Sequence, residues 1–184
     1  MNREALTRTI DLIKKAPPEQ CQMSDFALGN PLALVPDDFN RKDPTISCGT
    51  AHCAAGWAIA ANFKAAMVAC RMIQEARGYL QVNVELIALN VLDLDGRQSD
   101  QLFTMDVEQG SEADQRIRDI YDKHHLAWRW NILRCFDDLP KELRKQALIN
   151  VLENLLEAGK VDWPVALERA DATYLPITKP AQPA

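Results

Sequence analysis

Cys48-Gly-Thr50-Ala-His52-Cys53-Ala-Ala-Gly56-Trp57-Ala-Ile-Ala-Ala61 is the stretch on which the fold turns. From Ala54 to Ala61 it carries little side-chain bulk, so neighbouring elements can approach its backbone closely, and a helix here reads as the centre of the molecule. Gly49 accepts backbone angles that other residues resist. Thr50 is a good N-cap, its hydroxyl able to accept from a free amide one turn in. That makes Ala51 the first helical residue and puts Cys53 in the first turn, where the helix dipole favours negative charge. The helix is expected to run to about Ala76, with a break near Asn62-Phe63.

Outward from this centre the chain reads as helices. Asn2 to Lys15 carries Leu6, Ile10 and Ile13 on one face and stops before Pro17-Pro18. Residues 16 to 47 read as a long loop, punctuated by Pro31, Pro36, Pro44 and Gly29-Asn30. Val84 to Leu92 forms a third helix, and Asp93 to Ser99 leads into a short one ending at Leu102-Phe103. A polar hinge, Asp106 to Ser111, precedes a helix expected from Glu112 to Phe136. Asp137-Asp138-Leu139-Pro140 opens the clearest helix, which ends at Gly159 and carries a stripe through Leu143, Leu148, Leu152 and Leu155. A last short helix follows Asp162-Trp163-Pro164.

The expected fold is therefore all-α: one compact domain of about six orthogonally packed helices over residues 1–175, with a flexible tail over 176–184. At 184 residues the chain can bury a real core. Its 47% apolar and 26% charged residues are those of an ordinary globular protein. A net charge of −5 argues against a non-specific nucleic-acid binder. The most apolar window, Ala51 to Cys70, contains His52, Asn62 and Lys64 and does not read as a membrane span. Five cysteines, without the dense spacing of a disulfide scaffold, point to reduced thiols and a cytoplasmic setting.

Three readings of the Cys48–Trp57 segment follow. In the first it is a structural corner: Cys48, Gly49 and Thr50 turn the chain, Cys53 fills space, Gly56 allows close packing and Trp57 lies one turn on. In the second, Cys53 is a nucleophile with His124 or His125 as base, oriented by an aspartate such as Asp122. In the third, Cys48, His52 and Cys53 join His124 or Cys135 around zinc, although the paired spacing of strong zinc signals is missing. Asp93 to Ser99, aligned on Gly96, fails as a calcium loop, since Val91 and Leu102 would occupy essential ligand positions. A turn capped by Asp95 or Ser99 explains it better. Trp128 and Trp130 diverge too far on a helix to form one stacking platform for nucleic acid. Trp128 and Arg129 instead form the kind of exposed pair that protein interfaces favour.

The signature Cys48-Gly49-Thr50-x-x-Cys53-x-Ala55-Gly56-Trp57 resembles one found in small bacterial and phage or prophage proteins. In those proteins a later helical unit ends in Leu-Phe, as at Leu102-Phe103. The resemblance covers about residues 46 to 104. It implies a helical cytoplasmic protein of viral or mobile-element origin, and it brings no activity and no catalytic residues. The leading expectation is a non-catalytic module without cofactor or metal that binds an unidentified protein, as an accessory factor acting on a host or viral component. Neither nucleic acid nor membrane is expected as a partner.

Overall fold

The computed structural model describes residues 1–21, 53–77, 84–105, 107–126 and 136–178. Among them the protein is all-α. Helices α1 (Arg3–Lys15), α2 (Ala54–Ala61), α3 (Phe63–Arg77), α4 (Val84–Leu92) and α5 (Gly96–Thr104) are followed by α6 (Glu112–Lys123), α7 (Lys141–Ala158) and α8 (Trp163–Thr178). A 3-10 turn over Pro18–Gln20 follows α1.

The small-residue run forms the inner helix. Ala54, Ala55, Gly56, Trp57, Ala58 and Ile59 are all buried, and α2 packs against α1, α3, α4 and α5. With no bulky side chains apart from Trp57 and Ile59, α2 can be enclosed on all sides. On its other side α1 meets α7, which forms the largest helix pair with α8, and α6 lies on α8. Phe136 and Trp163 join the ends of that second group edge to face, 5.5 Å between ring centres.

The expected break at Asn62 is real, and it is built. Asn62 leaves the helical region (φ −126°, ψ 37°), and its backbone amide donates to Ile59 O. Its side-chain amide donates to Ala58 O at 2.9 Å, and also to Ala5 O at 3.1 Å and Thr9 Oγ1 at 3.2 Å in α1. Its carbonyl accepts from Arg8 Nε at 2.8 Å. One buried side chain thus ends α2 and fastens it to α1.

Other termini follow their local chemistry. Asn2 caps α1 by accepting from the amide of Ala5, and Asp95 with Gln98 forms a reciprocal capping box on α5. Gly159 ends α7 in the left-handed region (φ 69°), as the sequence indicates. Lys145 reaches from α7 to the carbonyls of Lys14 (2.9 Å) and Ala16 (2.6 Å), placing a cation on the negative end of α1.

Three expectations are corrected. The inner helix starts at Ala54, not Ala51: Cys53 is extended (φ −70°, ψ 173°) and is itself the N-cap, so it cannot lie in a first turn. The helix from Glu112 stops at Lys123 instead of reaching Phe136. His125 turns left-handed (φ 57°), its amide donates to Asp122 O and that of Leu126 to Tyr121 O. This is the Schellman arrangement, closed without a glycine. Finally, the last helix is not short: α8 has 16 residues, and Ala166, Leu167 and Ala170 are buried along it. It continues through Pro176 to Thr178. Counting the split at Asn62, eight α-helices are delimited among the described residues, and residues 136–138 are helical as well, where about six helices were expected.

Candidate functional site

Cys53 sits at the mouth of α2 with 3% of its surface exposed. Burial pushes its thiol above the ordinary cysteine range. The amides of Ala55 and Gly56 pull the other way, and the nearby Glu85 carboxylate reinforces the upward shift. Those amides do not close a capping hydrogen bond with the side chain. Desolvation is the larger effect, so Cys53 is held as a neutral thiol at physiological pH. Cys70, on the buried face of α3, is also raised by burial. Cys21 is pushed up to about 11, with Lys145 and Arg144 only partly offsetting its desolvation. These three thiols are free.

His124 caps the end of α6, where its Nε2 lies 2.8 Å from Asp171 Oδ1 of α8. The other oxygen of Asp171 accepts from Lys123 Nζ, and the Tyr174 ring lies 5.8 Å from the imidazole, centre to centre. The carboxylate that holds His124 is therefore Asp171, 47 residues downstream, while Asp122 is exposed. His125 is exposed, with its backbone forming the left-handed turn. The structure thus joins His124 to α8 and places Cys53 at the start of α2; it does not bring the thiol into contact with either imidazole.

Gly56 and Trp57 are buried within α2. Cys48, Gly49, Thr50, His52, Trp128, Arg129 and Cys135 lie outside the described residues. Among the described residues no three His, Cys, Asp or Glu side chains are grouped to hold a metal ion. Nor is any helix there long and apolar enough to cross a membrane.

A cleft of about 320 Å³ opens where the turn before α6 meets α5 and the start of α8. Its polar groups already hold helices in place. Arg116 donates to both oxygens of Glu168 (2.7 and 2.6 Å), and Trp163 Nε1 donates to Gln101 O at 2.8 Å. Asp162 accepts from Val165 N at 3.0 Å and Ser111 from Asp114 N at 3.2 Å, capping α8 and α6. The cleft is a junction between helix ends more than a receptor for a ligand.

Two polar groups are central to this arrangement; the sequence marks Asn62 as a break but not its bonds to α1, and does not mark Asp171. Asn62 could be found from its position, a lone amide splitting an apolar helix. Asp171 could not, because nothing local ties it to His124.

Among the described residues the architecture is all-α, with Cys53 and His124 built into helix ends. Comparison with protein-family models, with curated proteins and with solved structures finds no match.

Proposed function

We propose that this protein acts without covalent chemistry, as a cytoplasmic helical module that binds another protein. On the resemblance of its Cys48–Trp57 signature, we place it among accessory factors of phage or prophage origin that modulate a host or viral component. The observation that carries the reading is the state of Cys53: a thiol sealed in the core at a helix N-cap, its ionisation opposed by burial, with neither His124 nor His125 in contact with it. A nucleophile needs the opposite on each count. The proposed partner contact is Trp128 with Arg129.

Alkylation of the native protein at neutral pH, read by mass spectrometry, tests the first half. Cys53 should react more slowly than Cys70, and a Cys53 that labels fastest overturns the reading. Capture from a bacterial lysate tests the second half. A protein retained by wild type and lost by Trp128→Ala is expected; retention unaffected by Trp128→Ala and Arg129→Ala removes that surface.

A further inference from the structure

Among the described residues two large hydrophobic side chains remain exposed, Val68 at 59% and Met72 at 64%. They stand one turn apart on α3, within ~40° of each other around the helix axis. Ala66 and Cys70, the buried residues of that helix, lie on the other side. One flank of the exposed stripe carries Ala65 and Ala69. The other carries Lys64, Arg71 and Glu75; Arg71 is already engaged within the chain, whereas Lys64 and Glu75, three turns apart, form no ion pair among the described residues.

We propose that this face joins two copies of the chain as an antiparallel pair of α3 helices. A twofold axis passing near residue 70 sets Val68 of one copy against Met72 of the other. The same axis brings the charged flank onto itself reversed, so that Lys64 of each copy meets Glu75 of the other. A parallel pairing would instead set the charged flank of each copy against the alanine flank of the other, leaving Lys64 and Glu75 without partners across the pair. The face therefore carries its own complement, which singles out a second copy as its occupant over an unrelated protein. The alanine flank lets the two backbones approach closely, and antiparallel helix dipoles add a small favourable contribution.

Size sets the strength. A 15-residue helix is ~22 Å long, and one such pair lies at or below the ~1,200 Å² at the low end of stable interfaces. The dimer is accordingly weak and forms with rising concentration in the micromolar range. The inference goes beyond the partner binding proposed above and does not depend on it: the two concern different residues, and either can fail alone.

Sedimentation velocity on the full chain from low to high micromolar concentration tests it. The wild type should pass from one chain to two. Val68→Glu with Met72→Glu should remain a single chain throughout, with unchanged helical circular dichroism. Lys64→Glu alone and Glu75→Lys alone should each weaken association by about three- to tenfold, because each removes two exposed ion pairs per dimer. The double exchange Lys64→Glu with Glu75→Lys should restore it. A wild type that stays a single chain at the highest concentration overturns the proposal, as does a dimer that survives the Val68 and Met72 changes. If the Val68 and Met72 double variant does not fold, the charge exchange decides alone: failure of the double exchange to recover the dimer overturns the antiparallel pairing.

Discussion

Replacing Asn62 by alanine should cost about 3 kcal/mol of folding stability, a large part of what holds a domain of this size together. The figure follows from what the side chain does. Its NH₂ group serves three acceptors, Ala58 O, Ala5 O and Thr9 Oγ1, and its oxygen accepts from Arg8. Two donor hydrogens shared among three acceptors amount to about two full hydrogen bonds, at ~1 kcal/mol each. The Arg8 side chain is 47% exposed and returns to water, so its loss adds little. Ala58 O is different. The amide of Asn62 has turned to Ile59 O, and the carbonyl left behind is served by the side chain. Stranding it in the core costs ~1–3 kcal/mol, part of which is the hydrogen bond already counted, so the total comes to about 3 kcal/mol. Urea unfolding followed by circular dichroism should therefore show a lower midpoint with an unchanged slope, and the melting temperature should fall by ~6–12 °C. Asn62→Asp keeps the shape but turns carboxylate oxygens toward two carbonyls, and should cost at least as much. An Asn62→Ala variant within about 0.5 kcal/mol of wild type would refute the view that this residue joins α1 to α2.

Other expectations come from individual helix ends and thiols. The Cys21 thiol is raised from 9.0 to about 11, so the stability it contributes is complete below about 9 and is lost as pH rises toward 11. Cys21→Ala should flatten that alkaline limb of a stability–pH curve, and an unchanged limb would count against the assignment. Glu168 is held below the usual carboxylate range by its hydrogen bonds from Arg116, so its contribution is present at neutral pH and lost as pH falls through its folded value. The stability gap between wild type and Glu168→Gln should be under ~1 kcal/mol at neutral pH and close in acid, since both partners are partly exposed. Gly159→Ala meets no neighbouring atom at its new Cβ, so its cost should be the left-handed backbone alone, ~1 kcal/mol by thermal melting. His125→Gly relieves the same strain and should stabilise by a similar amount, unless the exposed imidazole has a role the melt would reveal as a loss.

What could be read from the sequence was whatever rested on local pattern. The span of α4, the Asp95 cap, the glycine stop of α7 and the interruption at Asn62 all follow from residues within a turn or two of the feature they explain. The errors share an origin as well. The end of α6 was missed because its left-handed residue is a histidine, and the closing hydrogen bonds give no compositional sign. The length of α8 was underestimated because Pro164 and Pro176 suggest interruption, yet a proline near a helix start removes only an amide that lacks a partner there anyway. The clamp of His124 by Asp171 was beyond reach, since the pair forms only once α8 lies on α6. Lys145 was visible as a surface lysine, and its use as a cap for another helix was not.

The same limit explains why Cys53 invites chemistry on paper. Position at a helix start predicts an acidic thiol, and burial predicts the reverse; only the fold reveals that the second prevails. As a nearly sealed N-cap, Cys53 is a compromise between a side chain that can face the amides of Ala55 and Gly56 and one that costs little to bury. Substitution makes the compromise measurable. Cys53→Ser should cap better but bury a hydroxyl, leaving stability within about 1 kcal/mol of wild type. Cys53→Ala removes the sulfur that faces those amides and opens a small void, and should cost ~1–2 kcal/mol. A structural cysteine therefore ranks alanine below serine in stability and tolerates serine in partner binding. A catalytic one would lose its activity with either change whatever the stability, so the two measurements together separate the roles.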